Sequence, residues 1–314
     1  MRNNTLIVIV GPTGVGKTAL SILIAKLFSC PIISADSRQF YKEMNIGTAK
    51  PSTEEMQGIM HYFINSHTII DNYNVGKFEK DAIILLKDLF KTNDTVVMAG
   101  GSGLYINAVC EGLDELPEAD LLVREKIELL FKISGLEGLQ KELEKLDPNY
   151  YNQVDLNNSQ RLIRAIEVCL VSGKTYSSFR KEKLKIRNFK IIKIGLTTSR
   201  ELLYEKINIR VDEMIKKGLL QEVEKLYPYK DLNSLQTVGY RELFTYLDSL
   251  KTVELLEADD AKLLKTAIDL IKQNTRRFAK RQLTWFRKDK EIKWFDPQDT
   301  ELIQAHLKAN IKSL

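Results

Sequence analysis

The first readable pattern in the chain is a continuous apolar run, Leu6-Ile-Val-Ile-Val10. It is β-branched and does not alternate, as expected of a parallel strand covered on both faces. A glycine-rich stretch follows, and then residues 17–28 place Leu20, Leu23, Ile24 and Leu27 at helical spacing. Pro31-Ile-Ile-Ser-Ala-Asp36 reads as a second strand, and residues 78–90 as an amphipathic helix with Phe78, Ala82, Leu85, Leu86 and Leu89 on one side. Thr95-Val-Val-Met-Ala99 reads as a third strand running into Gly100-Gly-Ser-Gly103, and Ile191-Ile-Lys-Ile-Gly-Leu196 as another; Trp294-Phe295 suggests a late, short one. Strands alternating with helices imply an α/β fold with a parallel sheet and right-handed crossovers. The rear of the chain is mostly helical in pattern, over residues 123–145, 160–171, 200–226, 263–285 and 300–312. Few turn signals lie between residues 200 and 285. The expected division is an α/β core over 1–198 with a helical excursion at 116–156, a helical unit over 199–285, and a return to the core over 286–314.

Composition narrows the class. The 314 residues are 44% hydrophobic and 28% charged, which is ordinary for a globular chain and excludes disordered or fibrous types. Cys30, Cys110 and Cys169 are far apart in sequence. That spacing excludes a disulfide framework and a cysteine zinc site and fits a reducing cytoplasm. No apolar run approaches the roughly 20 residues of a spanning helix, so no membrane role is expected. The net charge of +5 is mild, but it is unevenly spread. Residues 272–290 carry eight basic side chains against Asp289, and residues 180–193 carry seven against Glu182. Such islands suit a polyanionic partner; either one alone reads equally as a solvated helix face.

Gly11-Pro-Thr-Gly-Val-Gly16-Lys17-Thr18 fits G-x-x-x-x-G-K-[ST] in its proper context, strand before and helix after. Its glycines allow successive backbone N–H groups to converge on phosphate oxygens, and the helix N-terminus adds its dipole. Lys17 supplies charge to the phosphate, and Thr18 offers a hydroxyl to Mg²⁺. The loop binds a di- or triphosphate without naming it. Many phosphate-loop enzymes end a neighbouring strand in an acid; here the third strand ends in glycines, and the strand-end carboxylate is Asp36. A lone Asp in that place often caps a helix. The polar run around it, Ser34-Ala-Asp-Ser-Arg-Gln-Phe-Tyr41, favours a functional role.

Further runs occur in order: Asn45-Ile-Gly-Thr-Ala-Lys-Pro51, Gly100-Gly-Ser-Gly-Leu-Tyr105, Gln160-Arg-Leu-Ile-Arg-Ala-Ile-Glu-Val168, Val238-Gly-Tyr-Arg-Glu242 and Ala279-Lys-Arg-Gln-Leu-Thr-Trp-Phe-Arg287. Together with the phosphate loop, and over nearly the whole chain, they resemble the bacterial tRNA dimethylallyltransferase (tRNA isopentenyltransferase) family. The resemblance implies transfer of a dimethylallyl group from dimethylallyl diphosphate to the exocyclic amine of the adenosine 3′ of the anticodon, in tRNAs reading codons that begin with U, with Mg²⁺ required. Ser102 stands where the family usually has Thr, His61-Tyr62 where it has a His pair, and Asn65 and Asn158 where Asp is common.

Several roles follow from this resemblance. Asp36 would act as general base and Ser102 would donate to the bridging oxygen of the leaving group, with Lys17 the third catalytic residue. Gly11, Pro12, Thr13, Gly14, Val15, Gly16, Lys17, Thr18 and Arg210 would hold the diphosphate, although Arg210 also reads as a surface helix arginine. A loop base must be flipped out to reach the donor. Asp36, Ser37, Arg38, Gln39 and Ser102 would meet the target adenine. Arg124, Gln160, Arg161, Leu162, Ile163, Arg164, Gln236, Gly239, Tyr240, Arg241, Arg276, Arg277, Lys280, Arg281 and Gln282 would hold the anticodon stem-loop. The spacing of Arg277, Lys280, Arg281 and Lys288 puts basic charge along one helix face, with Trp285 and Phe286 expected in the core. His61, His67 and His306 are expected to be structural, and the protein to be monomeric. Two rivals share parts of the pattern: a phosphate-loop small-molecule kinase, which leaves the basic islands unexplained, and a nucleotide-dependent RNA-binding module without transfer chemistry.

Overall fold

The computed structural model describes residues 4–180, 185–252 and 260–312. Residues 181–184 of the second basic island lie outside the described residues. Six parallel strands form one sheet in the order β3-β2-β4-β1-β5-β6. They are β1 (Thr5–Val10), β2 (Ile32–Ser34), β3 (His61–Tyr62), β4 (Thr95–Gly100), β5 (Lys190–Leu196) and β6 (Lys293–Phe295). β1 sits between β4 and β5, so every one of its residues is buried. Its alternation divides the core: Leu6, Val8 and Val10 face one layer, and Ile7 and Ile9 the other.

The first layer is covered by α3 (Val75–Leu89) through Phe78, Ala82 and Leu86. The opposite layer receives α1 (Lys17–Phe28). Between them in the chain lies a one-turn helix, α2 (Thr53–Met56), closed by a reciprocal capping box between Ser52 and Glu55. β4 leads directly into α4 (Gly103–Glu111).

The chain divides into two compact units, one ending at Cys110 and resuming at Arg187, the other Glu111–Ile186. In the smaller unit α5 (Leu121–Leu146), α6 (Pro148–Tyr151), α7 (Ser159–Ser172) and α8 (Tyr176–Phe179) surround Ile127, Leu139, Leu143, Tyr150, Leu162 and Ile166. α5 is interrupted at Gly135, so the continuous helix expected there is two segments.

The larger unit continues through β5 into α9 (Arg200–Lys216), α10 (Leu219–Leu226), α11 (Tyr240–Thr252) and α12 (Asp260–Phe286), then β6 and α13 (Thr300–Lys312). The one helix expected over 200–226 breaks at Gly218, whose φ of 98° is left-handed. The boundaries also fall differently from those expected. The excursion spans 111–186, wider than 116–156, and 199–285 belongs to the same compact unit as the sheet. The reason is packing: Leu203 and Ile207 of α9 and Ala279 of α12 join the same hydrophobic layer as Ile7 and Ile9. A second helical cluster does exist, built on Tyr41, Met44, Leu219, Val223 and Tyr240, but it is continuous with the α9 and α12 scaffold. The late strand at 294–295 is present as β6, at the sheet edge beside β5.

Candidate active site

Parallel α/β sheets bind ligands beyond the carboxyl ends of their strands. In this chain three adjacent strands, β2, β4 and β1, deliver Asp36, Ser102 and the loop Gly11–Thr18 to that end. β2 and β4 continue to approach each other past their last paired residues: the Ala35 amide donates to the Ala99 carbonyl at 2.8 Å. A Cβ on Gly100 would lie 2.2 Å from the Ala35 carbonyl oxygen, so the closeness of these two chains requires glycine there.

This proximity sets the geometry of Ser102. Its Oγ accepts the Ser37 amide at 2.9 Å and donates to the Ser37 hydroxyl at 3.1 Å. Asp36, one residue earlier, accepts the Arg38 amide on Oδ1 at 3.0 Å, which fixes the plane of the carboxylate and leaves Oδ2 for another partner. The Gln39 amide returns to the Asp36 carbonyl at 3.1 Å, closing a tight turn.

The phosphate loop curls as its sequence requires. Lys17 donates to the Pro12 carbonyl at 2.7 Å, folding its side chain back over the loop. Burial pushes the Lys17 ammonium down to about 8; Asp36 opposes that shift and the Arg210 guanidinium adds to it. Thr18 is exposed at the mouth of the loop. Arg210 reaches across from α9, its guanidinium donating to Thr13 Oγ1 and to the Ala49 carbonyl, each at 3.5 Å. Burial lowers its pKa also, with the Asp36 charge pulling the other way. Thus Lys17, Arg210 and Asp36 are close enough to feel one another's charge, and Arg210 faces the loop.

Arg38 and Gln39 turn out to brace the site. Arg38 donates to the carbonyls of Asn233 and Ser234, both at 2.8 Å. Gln39 accepts from Ser34 at 3.1 Å and donates to the Thr48 carbonyl at 3.2 Å. The segment around Gly47 is held from the other side by Glu222 of α10, which accepts the amides of Asn45, Ile46 and Gly47 at 3.0, 2.8 and 3.0 Å. Lys50 donates to Tyr41, Asn45 and Asn65, and burial lowers it to about 8. Neither Glu222 nor Lys50 is among the expected site residues. Lys50 stands inside a motif and was legible there; Glu222 is one more glutamate on an amphipathic helix, with no local signal.

The expected RNA contacts divide by burial. Arg277, Lys280 and Arg281 are exposed along α12 and Lys288 just beyond its end, and a groove there is lined by Lys280, Arg281, Thr284, Trp285 and Lys288. Trp285, expected in the core, is 38% exposed, while Phe286 is buried as expected. The inward residues Ala279, Gln282 and Phe286 define the buried side of the helix, and residue 285 falls beside it, over Gly103. Arg276 is held by Asn208 at 2.6 Å, and Gln236 and Arg241 are exposed. Tyr240 is fully buried, its hydroxyl donating to Glu222 at 2.6 Å, and the buried Gly239 amide is capped by Glu242 at 2.8 Å. Gln282 is buried with both ends of its amide used inside the protein.

In the smaller unit, Leu162 and Ile163 are core residues, whereas Gln160 and Arg161 are exposed. Arg164 is paired with buried Glu167 at 2.6 Å, and Arg124 with Glu128 at 2.9 Å. The side chains of Leu162, Ile163, Tyr240 and Gln282 are therefore enclosed by protein, correcting the expectation that they meet RNA directly. His61 bonds the Ile59 carbonyl at 2.8 Å, and His67 stacks on Tyr73 with centroids 3.7 Å apart.

Among the described residues no cluster of His, Cys, Asp and Glu has the makings of a metal site. The exposed Thr18 hydroxyl is a hard oxygen donor at the phosphate loop, and such a donor suits Mg²⁺, which keeps several waters and takes much of its coordination from phosphate oxygens.

Comparison with known proteins identifies the family. The family model for IPP transferase matches residues 39–289. A tRNA dimethylallyltransferase of Christiangramia forsetii is 53% identical over 294 residues, covering 94% of each chain. The full-length tRNA isopentenylpyrophosphate transferase of Bacillus halodurans superposes with a TM-score of 0.70 at 35% identity, covering 98% of this chain and 97% of that one. A eukaryotic dimethylallyltransferase acting on tRNA gives 0.74 at 27% identity, over 93% of this chain and 74% of its own. With the family model spanning most of its length and relatives of this identity aligned almost end to end, the chain belongs to the IPP transferase family.

Proposed function

We propose that this protein transfers a dimethylallyl group from dimethylallyl diphosphate to the exocyclic amine of the adenosine 3′-adjacent to the anticodon, in tRNAs reading codons that start with U. The observation that carries the reading is the convergence of a phosphate loop, a cationic pair and a strand-end carboxylate on the carboxyl edge of three neighbouring strands.

In this reading the allylic C–O bond breaks, the bridging oxygen gathers negative charge, and diphosphate leaves. The amides of residues 14–18, the Lys17 ammonium and the Arg210 guanidinium meet that charge as fixed donors. The Ser102 hydroxyl, which here donates to Ser37 at 3.1 Å, redirects its proton to the bridging oxygen. The adenine amine forms the new C–N bond and becomes acidic as it does so. Its proton passes to Asp36, the oxygen opposite the one held by the Arg38 amide being open to receive it. Thr18 would hold a Mg²⁺, which would supply further neutralisation of the diphosphate. Ser37 and the backbone braced by Arg38 and Gln39 line the approach of the flipped base. Exposed Arg277, Lys280 and Arg281 hold phosphates of the anticodon stem-loop, and exposed Gln160 and Arg161 of the smaller unit do the same. We assign a monomer acting in the cytoplasm; no helix among the described residues is long and apolar enough to cross a membrane.

The test is direct: incubate the protein with unmodified tRNA, Mg²⁺ and dimethylallyl diphosphate, then digest and measure nucleosides by mass spectrometry. The expected product is N6-(dimethylallyl)adenosine. Consumption of ATP as the donor substrate in its place would point to a kinase and overturn the reading.

A further inference from the structure

We propose that Gln282 is a positioning residue that couples RNA docking on α12 to the diphosphate loop. Its placement carries the argument. The Thr13 amide, inside the phosphate loop, donates to Gln282 Oε1 at 2.9 Å, and Gln282 Nε2 donates to the Gly101 carbonyl at 2.9 Å. One side chain therefore ties together the loop after β1, the loop after β4 that carries Ser102, and the long basic helix. The fit is close: a Cβ on Gly101 would lie 2.3 Å from Gln282 Nε2. Gln282 is 7% exposed and its bond to Gly101 is buried, where losing a partner strands the other group; its bond to Thr13 is partly buried. Thr13 is held on both sides, its amide by Gln282 and its hydroxyl by Arg210 at 3.5 Å.

Next to this buried amide in sequence, Lys280, Arg281 and Trp285 are exposed. A rigid helix that carries outward cations and an inward amide one residue apart cannot shift at one without shifting at the other. RNA seated on the outward face biases the position of Gln282, hence of the Thr13 amide and the Gly101–Ser102 backbone. Linkage makes the effect mutual: RNA that tightens the grip on diphosphate is itself bound more tightly when diphosphate is present.

This inference rests on α12 being the RNA-facing helix, and the experiment separates the two ideas. The affinity for inorganic diphosphate with Mg²⁺ is measured by calorimetry with and without a synthetic anticodon stem-loop, on the full chain and on Gln282→Met and Gln282→Glu. Met removes both bonds; Glu keeps the acceptor for Thr13 and loses the donor to Gly101. The wild-type ratio of affinities is expected to reach at least about 5-fold, and in both variants to fall towards one. A brace with no coupling role would lower both affinities and leave the ratio unchanged; that result overturns the proposal. Amide exchange of the wild-type loop gives a reading free of substitution: adding the stem-loop should slow exchange at Thr13, and no change there counts against the proposal. A stem-loop that does not bind sinks the RNA-facing reading and this inference together. One that binds without coupling overturns this inference alone.

Discussion

Ser102 holds Ser37 through two hydrogen bonds at 2.9 and 3.1 Å, and so the residue proposed to face the leaving group also positions the turn that carries Asp36, the proposed general base. Removing the Ser102 hydroxyl should therefore affect both halves of the reaction. Ser102→Ala is expected to lower kcat by about 10²–10³, the usual loss for one fixed donor to a developing oxyanion. Ser102→Thr keeps the hydroxyl and should retain most of the rate. Steady-state prenylation assays check this; an alanine variant with near-native kcat would contradict it.

The role proposed for Asp36 is separable from RNA binding. Asp36→Ala should cut prenylation by about 10²–10⁴ while stem-loop affinity changes little. Parallel binding and turnover measurements decide the point. Unchanged turnover would remove Asp36 from proton transfer.

Lys17 gives a pH signature. Its ammonium is pushed down to about 8 by burial, below its value in an unfolded chain. The folded state thus binds fewer protons than the unfolded state between about pH 8 and pH 10.5, and stability should rise with pH through that window. Lys50, also lowered to about 8, adds to the same slope. Diphosphate needs the charged form, so its affinity should instead fall as pH climbs past about 8. Lys17→Met should weaken binding at pH 7 and flatten this dependence; calorimetry across pH, at fixed Mg²⁺, reads both effects.

Glu222 supports the strap over Asn45, Ile46 and Gly47. Glu222→Ala leaves three amides and the Tyr240 hydroxyl without their acceptor and should destabilise the fold by about 1–3 kcal/mol. Tyr240→Phe removes one bond and should cost about 1 kcal/mol. Urea denaturation distinguishes the two.

The exposed cations of α12 should respond to salt. For each of Arg277, Lys280 and Arg281 that meets a phosphate, replacement by Gln should reduce the slope of log affinity against log salt by roughly 0.7–0.9. An unaltered slope would mean that these side chains face only water.

The parts of the molecule legible in sequence were those set by local pattern. The strands at 5–10 and 95–100 are continuous apolar runs, and the phosphate loop is a spacing motif that needs no distant partner. β3 is two residues long, and neither its polarity nor its length distinguishes His61-Tyr62 from a loop. The break at Gly218 was hidden because apolar spacing continues across it. The expected division at 199 differs from the compact units for a tertiary reason: α9 and α12 bury Leu203, Ile207 and Ala279 against the sheet, which helical periodicity alone cannot specify. In the site, Asp36, Lys17 and Ser102 came from motif and resemblance. The inward orientation of Gln282 and Tyr240, and the reach of Glu222 to Gly47, depend on contacts far apart in the chain.

Thr13 and Gln282 are separated by 269 positions, yet each completes the other's hydrogen bonding. On the ribosome the phosphate-gripping turn emerges among the first residues, while its clamp is still unsynthesised. Once β4 and β5 have emerged to flank β1, a nascent chain can form that strand and its loop, but the loop lacks a lateral tether until the long basic helix has cleared the exit tunnel. Truncation upstream of that helix should yield a species that resembles the finished enzyme at its amino end and grips pyrophosphate poorly.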